Sequence, residues 1–451
     1  MERALLVTDL GFGDAGKGVV TDHLVRRLGA RLVVRSHGGA QAGHNVVTPD
    51  GRHHTFAQFG AGTFVPGVRT FLARHMVVHP TALLTEAEHL ASVGVPDALS
   101  RLSISEQALF ISPFQQAMGR LRELCRGDAR HGSCGVGVGE CVKDSLEFPN
   151  EALRMGLFRS PIKLRMALAR EQERKREEMK RELPFLPRYP SVERERWVLE
   201  DPTIVARFIE AIQPLRAVPI VSDAWLREAL STGGAVIFEG AQGVLLDEHV
   251  GFHPYTTWST CTFARGQELL REASFRGEIE RIGVLRTYAV RHGHGPFPTE
   301  DRSLDDVLPE PHNEDGPWQG RVRRGWPDMA LARYALEACG GADSLAITHL
   351  DALPKVTDWR VCTKYTISDE PGNPWVPSPP KTPDLERQAA LTERLFRATP
   401  MYEAVDWSGE GGAERATRYF GDALGVPVRL ASFGPSSDRV TTWLPKSLAF
   451  G

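Results

Sequence analysis

A glycine-rich loop between an apolar run and a helical segment constrains the fold of this chain more than any other feature. Residues 4–8 (ALLVT) form the apolar run, residues 11–18 read GFGDAGKG, and residues 19–28 have the pattern of a helix. This order predicts the start of a βα unit. Because the backbone N–H groups of such a loop and the helix N-terminus attract anions, the sequence predicts a phosphate site here.

Further apolar runs predict the rest of a sheet. Candidate strands lie at residues 31–35, 218–221, 235–238, 282–285 and 344–348, and helical stretches separate them. Buried apolar strands that alternate with helices are typical of a parallel sheet with helices on its faces. We therefore expect an α/β fold with a central, mostly parallel sheet flanked by helices, and with smaller helical and loop subdomains.

Two segments differ from this pattern. Between residues 161 and 200, Arg, Lys and Glu are mixed at helical spacing, which predicts a solvated helix face and not a nucleic-acid-binding tract. Residues 370–384 are rich in proline and predict a surface loop. We expect a single domain over residues 1–451, with a helical subdomain at about residues 100–215.

The composition excludes several classes of function. The 451 residues are 41% apolar and 25% charged, which suffices for the core of a soluble globular protein. The net charge of -3 supplies no basic field for nucleic acid or anionic membranes. The six cysteines are scattered without a C-x-x-C pair, as in reduced proteins without a zinc site. With no signal peptide or membrane-spanning stretch, we expect a cytoplasmic protein without nucleic-acid or membrane partners.

The glycine loop nearly fits the P-loop spacing G-x-x-x-x-G-K-[ST], with one informative departure. Gly18 stands where a P-loop has the hydroxyl that ligates magnesium, and an acid, Asp14, lies inside the loop. This acid could bind a metal ion or accept a proton. Taken alone, such a loop is more often a tight turn between a strand and a helix that the acid caps.

Several further blocks give the loop a context. Residues 38–45 read GGAQAGHN, and the blocks FEGAQG (238–243), PYTT (254–257), GPFPTE (295–300) and GRVRRGW (320–326) follow in order. In sequence and in order these blocks resemble the adenylosuccinate synthetase family, over nearly the whole chain. The resemblance implies a homodimeric, GTP-dependent ligase that uses Mg²⁺ and joins L-aspartate to the six-position of IMP through a 6-phosphoryl intermediate.

The resemblance also implies the residues of the phosphoryl-transfer site. Asp14 would remove the purine N1 proton and, with Gly43, ligate Mg²⁺, whereas His44 would stabilise the transferring phosphoryl group. Lys17 would act beside them on the nucleotide phosphates. The implied GTP-binding residues are Gly13, Asp14, Ala15, Gly16, Lys17, Gly18, His349, Asp351, Ser432, Gly434 and Pro435. Asp351 would accept hydrogen bonds from guanine, and His349 replaces a family lysine.

The two other substrates have implied residues of their own. Those for the nucleotide substrate are Gln41, Ser133, Cys134, Gln242 and Thr257, and those for aspartate are Gln319, Arg321 and Arg323. Guanidinium groups suit aspartate because their planar forks pair with carboxylates bidentately. A bare RVRR run is otherwise more often a solvated surface patch.

The acceptor pocket departs from the family pattern. Gln41 replaces an asparagine, and Cys134 replaces a residue whose hydroxyl contacts the substrate phosphate. Val136 replaces an arginine, and Trp258 replaces a small polar residue. In residues 141–149 we find no match for the family arginine that reaches the neighbouring subunit. The loss of one charge-assisted contact with the substrate phosphate weakens the binding free energy by ~1.5–3 kcal/mol. IMP is the expected acceptor. The alternatives are a paralogue for a modified or deoxy purine nucleotide or a specialised metabolite, and a GTP-binding regulatory protein without ligase activity.

Overall fold

A computed structural model of the chain describes residues 2–127, 133–310, 318, 320–368 and 370–442. Gln319, one of the residues predicted to bind aspartate, lies outside these ranges. No helix within them combines the length and apolar content needed to cross a bilayer.

The strands and helices of the described residues are numbered in chain order. The strands are β1 (Arg3–Asp9), β2 (Leu32–Arg35), β3 (Gly38–Gly39), β4 (His44–Val47), β5 (His53–Phe56), β6 (Arg69–Leu72), β7 (Met76–Val78), β8 (Leu102–Ser105), β9 (Leu109–Phe110), β10 (Ile220–Val221), β11 (Ala235–Gly243), β12 (Glu278–Arg286), β13 (Ala289–His292), β14 (Val322–Gly325), β15 (Ser344–Thr348), β16 (Arg360–Ile367), β17 (Glu370–Trp375), β18 (Ala398–Ala404), β19 (Val428–Ser432) and β20 (Val440–Thr442). The helices are α1 (Lys17–Leu28), α2 (Pro80–Ser92), α3 (Pro113–Arg126), α4 (Val138–Glu147), α5 (Pro161–Glu182), α6 (Pro190–Glu200), α7 (Ile204–Ala211), α8 (Ala224–Ser231), α9 (Ala264–Glu272), α10 (Met329–Ala338), α11 (Leu385–Phe396) and α12 (Gly412–Leu424).

One large sheet forms the centre of the fold. Its strand order, among the residues that the structure describes, is β10-β8-β6-β2-β11-β1-β12-β15-β19-β20. Neighbouring strands are parallel except β19 and β20, which are antiparallel. Every residue of β1 is buried, as expected of a central parallel strand with both faces covered. The predicted α/β fold is confirmed.

The predicted elements differ from the structure mainly at their ends. α1 begins at Lys17 instead of residue 19, and β10 contains only the last two residues of the predicted strand 218–221. β11 and β12 continue beyond the apolar runs that predicted them. The sheet order places β1 between β11 and β12, so the loops after these strands meet at the same edge, where α/β folds bind ligands.

Two predictions are wrong in part. Residues 370–375 form β17, an edge strand of the small sheet β17-β16-β18, instead of the first part of a surface loop. Proline is tolerated there because an edge strand leaves N–H positions unpaired. The charged segment at residues 161–200 is not only solvated, because Lys175 is completely buried and its Nζ lies 2.6 Å from Asp144 Oδ1 and 2.8 Å from Glu178 Oε2. One face of α5 therefore packs through ion pairs.

Candidate active site

The glycine loop is organised by an acid that the sequence did not single out. Asp9, the last residue of β1, is completely buried. Its Oδ1 accepts a hydrogen bond from Gly11 N at 2.7 Å, and its Oδ2 accepts from Ala15 N at 2.8 Å and from Lys17 Nζ at 3.2 Å. Asp9 therefore shapes the loop from within and balances the charge of Lys17. The available signal was a carboxylate at the end of an apolar strand.

The departure from the P-loop at Gly18 has a steric reason. A Cβ atom at Gly18 would lie 2.6 Å from the backbone oxygen of Asn45 and 3.0 Å from the carbonyl carbon of His44. No serine or threonine fits there, because contacts below 3.0 Å require backbone to move. The missing side chain lets β4 pack directly on the first turn of α1, which brings His44 beside the phosphate loop.

His44 is held by a buried carboxylate. Its Nδ1 lies 2.6 Å from Glu239 Oε1, and the other Glu239 oxygen accepts from Ala61 N at 2.9 Å. Burial lowers the pKa of His44 to about 4, although Glu239 opposes the shift. Burial raises the pKa of Glu239, but His44 and Arg35 together lower it overall. The neutral imidazole thus donates from Nδ1, and its buried Nε2 has no hydrogen-bond partner among the described residues.

Asp14 is held in an unusual backbone conformation. Its φ of 57° is left-handed, and Arg286 donates from Nη1 to its carbonyl oxygen at 3.0 Å. Its carboxylate lies 2.8 Å from His292 Nε2. Burial raises the pKa of Asp14, but the hydrogen bond and charge of His292, with the charges of Lys17 and Arg286, lower it overall. Asp14 is therefore ionised at neutral pH, as a proton acceptor must be.

A cavity of about 250 Å³ brings most of the predicted GTP-binding residues together. It is lined by Asp14, Gly16, Lys17, Gly18, His349, Asp351, Ser432, Gly434 and Pro435, and also by Gly43 and His44. Gly13 and Ala15 line a neighbouring cavity behind the loop instead. The N–H of Ala15 is directed towards Asp9 and is therefore not available to a phosphate in this arrangement.

His349 and Ser432 are fixed by local hydrogen bonds. His349 has a left-handed φ of 58°, and its Nδ1 lies 2.8 Å from Thr348 Oγ1. Burial, with the charges of Arg286 and Lys355, lowers the pKa of His349 well below its usual value, so the ring is neutral. Ser432 Oγ donates to Gly434 O at 2.9 Å. The exposed Asp351 lies two residues after His349 and lines the same cavity, as does Glu310.

The predicted nucleotide-substrate residues lie on four segments of the chain. Gln242 donates from Nε2 to Thr257 Oγ1 at 2.9 Å. Ser133 Oγ accepts from Gly135 N at 3.2 Å, and burial raises the pKa of the adjacent Cys134 thiol. Gln41 Oε1 is buried, without a hydrogen-bond partner in the described ranges.

Two tryptophans pack on the glycines of the loop at residues 133–139. A Cβ at Gly135 would lie 2.9 Å from the ring of Trp318, and a Cβ at Gly139 would lie 3.0 Å from the ring of Trp258. Both rings therefore lie directly against glycine backbone, where a side chain would clash. This loop, where the sequence lacks the family's hydroxyl and arginine, is bordered by aromatic surface.

The predicted aspartate-binding arginines lie in and next to a two-stranded antiparallel sheet. β13 pairs with β14 in antiparallel register, with His292 opposite Val322. Arg321 directly precedes β14, and Arg323 lies within it. Both guanidiniums contact Glu300, at 2.7 Å and 2.9 Å. His292 contacts Asp14 from the same two-stranded sheet, so this sheet connects the arginines with the proposed base.

The residues suited to magnesium are oxygen donors. The Asp14 carboxylate and the backbone of Gly43 line the same cavity, and Mg²⁺ commonly binds one or two protein oxygens together with substrate phosphates. In the part of the chain that the structure describes, no group of three or more His, Cys, Asp and Glu side chains could hold a metal ion. These residues therefore fit a metal that arrives with a nucleotide.

Comparison with known proteins identifies the family. The family model for adenylosuccinate synthetase matches residues 6–441. The chain belongs to the adenylosuccinate synthetase family. Its relatives include the adenylosuccinate synthetases of Mycobacterium leprae, 33% identical over 97% of both chains, and of Alkalilimnicola ehrlichii, 32% identical over 98% of both chains. The predicted family and the predicted GDP-forming C–N ligase class are thereby confirmed.

Two solved structures share the fold. A fully ligated adenylosuccinate synthetase from Plasmodium falciparum superimposes with a TM-score of 0.78 at 20% identity, covering 98% of this chain and 99% of that one. The succinoaminodeoxyadenylate synthetase of cyanophage S-2L, bound to dGMP and dATP, gives a TM-score of 0.58 at 16% identity over 98% and 95% of the two chains. The family fold therefore extends over nearly the entire chain.

Sequence reasoning missed the partners of the site residues more often than the site residues themselves. Glu239 was visible within the block FEGAQG but had no predicted role, although it holds His44. Arg286 ends β12 and contacts the loop backbone. His292, the last residue of β13, had no signal beyond its position just before the block GPFPTE. Each partner lies far along the chain, and only the fold brings it to the loop.

Proposed function

We propose that the protein catalyses the GTP-dependent ligation of L-aspartate to IMP, giving adenylosuccinate, GDP and phosphate. The observation that carries this proposal is that Asp14, Lys17, His44 and Asp351 line one cavity. A proton acceptor, a phosphate ligand, a group able to contact a transferring phosphoryl and an acid able to recognise guanine thus border the same space. A GTP-binding regulatory protein would need only the phosphate ligand and the acid that recognises guanine.

The proposed chemistry has two steps. The ionised Asp14 removes the N1 proton of IMP, the six-oxygen attacks the γ-phosphorus of GTP, and GDP leaves. The aspartate amine then attacks carbon six of the 6-phosphoryl intermediate, phosphate leaves, and the amine loses a proton. Donors aimed at developing charge in a dry site stabilise such a transition state more than the ground state. Glu239 holds His44 at Nδ1, and a proton taken up at Nε2, which the charge of bound phosphates favours, would let His44 donate to the transferring phosphoryl group.

Magnesium and guanine recognition belong to the same proposal. Asp14 and Gly43 would hold Mg²⁺, which when bound offsets the charge of the phosphates that surround the transferred group. Asp351 would accept the N1 and N2 hydrogens of guanine, a donor pair that adenine lacks. GTP is therefore the proposed phosphoryl donor in preference to ATP.

A second acceptor is favoured by one observation. The loop at residues 133–139 carries Cys134 and Val136 and is bordered by Trp258 and Trp318. An aromatic border offers stacking and apolar contact to a ligand, and Arg120, whose Nε donates to Gly135 O at 2.8 Å, places one positive charge beside this loop. A purine nucleotide with an altered base or sugar, such as a deoxynucleotide, is the second candidate.

One experiment tests both candidates. Phosphate release from GTP is measured with Mg²⁺ and L-aspartate in the presence of IMP, dIMP, GMP, dGMP or no acceptor, and product masses are recorded. We expect IMP-dependent release and a product heavier by the aspartyl group. Release with a deoxynucleotide alone would support the second candidate. GTP binding without aspartate-dependent release from any acceptor would contradict the ligase proposal and support the regulatory alternative.

A cytoplasmic homodimer completes the proposal. All six cysteines are free thiols, which suits a reducing compartment. Large apolar side chains of the helical region are exposed, among them Ile162 (73%), Met166 (57%) and Phe185 (93%). Such a surface is typical of a protein interface, and a two-fold dimer would cover it. Light scattering should give twice the monomer mass, and a monomer for Ile162→Glu.

A further inference from the structure

The arginines of the candidate aspartate site are already paired with a carboxylate of the same chain. Arg321 donates from Nη2 to Glu300 Oε1 at 2.7 Å, and Arg323 donates from Nη1 to Glu300 Oε2 at 2.9 Å. One carboxylate therefore bridges two guanidiniums, which is the contact that a carboxylate ligand makes with an arginine pair.

A second internal carboxylate repeats this arrangement. Arg321 donates from Nη1 to Asp305 Oδ2 at 3.1 Å, and Arg324 donates from Nη1 to Asp305 Oδ1 at 3.2 Å. Arg321 is thus shared by both acids. We call the three arginines with Glu300 and Asp305 the arginine–carboxylate network. It holds two carboxylates, the number that L-aspartate carries.

The two acids are not held equally. Glu300 lies within 2.9 Å of both its arginines, and Arg323, whose side chain is only 16% exposed, also donates to Gly295 O at 2.8 Å. Asp305 makes longer contacts, at 3.1 Å and 3.2 Å, although the two acids are almost equally exposed (27% and 28%) and both share Arg321. Longer ion pairs are weaker because the Coulomb energy falls with distance. A ligand carboxylate would therefore displace Asp305 before Glu300.

The charges of the network lead to the same choice. Three guanidiniums opposite Glu300 and Asp305 leave one net positive charge. When Asp305 is displaced, the network gains a second net positive charge, which matches the two carboxylates of L-aspartate. A ligand with one carboxylate gains nothing from this displacement.

We propose that Asp305 is an intramolecular competitor that sets the affinity for the dicarboxylate substrate, and that Glu300 is a positioning residue that holds Arg321 and Arg323 for binding. This inference rests on the proposed function, because it takes L-aspartate as the ligand. Asp305 acts against the ligand and Glu300 acts for it, so the two acids have opposite effects on affinity. A network with a purely structural role would give both acids the same effect.

The test uses Asp305→Asn and Glu300→Gln in the full chain, with Asp306→Asn as a control at an exposed neighbouring acid. The Kd for L-aspartate and L-asparagine is measured by calorimetry with GDP and Mg²⁺, without turnover, and the KM for L-aspartate is measured separately. We expect Asp305→Asn to lower the Kd and KM for L-aspartate about two- to fivefold. Its preference for L-aspartate over L-asparagine should rise. Glu300→Gln should raise the Kd about fivefold, and the control should match the parent protein.

The outcomes separate this inference from the ligase proposal. An unchanged or higher Kd for L-aspartate in Asp305→Asn would overturn the competitor role, because the acid would then position the arginines. A lower Kd in a protein that shows no turnover would support the competitor and contradict the ligase function. Asp305→Asn decides the question alone if Glu300→Gln does not fold, as circular dichroism would reveal.

Discussion

The two ends of the active site use charge in different ways. At the phosphate end, defined as residues 9–18 with His44 and Glu239, the Lys17–Asp9 and His44–Glu239 pairs are almost completely buried. At the acceptor end, defined as residues 133–139 with 318 and 320–324, Arg321 is exposed enough to exchange partners. The first end is preorganised, as electrostatic catalysis requires. The second has charges that a substrate can rearrange.

The strongest test of this contrast is Asp14→Asn. An amide of the same shape cannot accept the N1 proton, so we expect kcat to fall about 10³-fold, within the range for a lost general base. The melting temperature should change little, because the Asp14 side chain is 24% exposed. Phosphate release under saturating substrates provides the rate. Asp97→Asn, at a 56% exposed acid, is the control, and near-normal turnover in Asp14→Asn would remove Asp14 from the proposed role.

His44 and Glu239 test whether the buried pair acts as a unit. His44→Ala should lower kcat about 10²- to 10³-fold, because it removes a contact with the transferring group. Glu239→Gln should lower kcat less, since the amide oxygen can still accept from His44 Nδ1 while its NH₂ group faces the N–H of Ala61. Equal rates in Glu239→Gln and the parent protein would contradict the positioning role of Glu239.

The sequence predicted the phosphate end well because its parts are local. A strand, a glycine loop and a helix follow one another, and the fold needs Gly18 where β4 crosses α1. The partners were not predictable, because Glu239 lies 195 residues from His44 and reaches it only through the sheet order. Pairing across such a distance depends on strand register, which a single sequence does not contain.

The acceptor end was less predictable for a different reason. The run at residues 320–326 indicated the arginines, but the acids that hold them lie in a segment of irregular structure. Asp305 and Asp306 are neighbours with the same side chain. Only the structure distinguishes them, because it places Asp305 between Arg321 and Arg324.

His37, a buried residue outside the phosphate end, should make the stability of the protein depend on pH. Burial lowers the pKa of His37 to about 3, and its Nε2 accepts from Ala241 N at 3.2 Å. The unfolded chain binds a proton below about pH 6.5, whereas the native ring does not until about pH 3, so stability is lost as pH falls through this window. Between pH 7 and 5 this loss is about 2 kcal/mol. Urea unfolding at pH 7 and pH 5 should show this loss in the free energy of unfolding, and His37→Gln should reduce it. A loss of the same size in His37→Gln would contradict the role of His37.

Arg321→Leu should affect binding more than chemistry. We expect the KM for L-aspartate to rise at least about tenfold, since a charge-assisted contact with the substrate is lost. The KM for GTP should remain unchanged, because Arg321 is absent from the lining of the GTP cavity. Initial rates at varied L-aspartate and GTP provide both values. An unchanged KM for L-aspartate would mean that its carboxylates bind elsewhere.

The smallest expected effect comes from Cys134→Thr, and it concerns the acceptor itself. A threonine hydroxyl can donate to a phosphate oxygen where the thiol is a weak donor, and a neutral hydrogen bond contributes about 0.5–1.5 kcal/mol. The KM for IMP should therefore fall about threefold to tenfold, with Cys125→Thr on α3 as the matched control. If the KM rises instead, the half-buried thiol contacts an apolar part of the acceptor. The aromatic border of Trp258 and Trp318 would then select the substrate, and a deoxynucleotide would be the acceptor to test next.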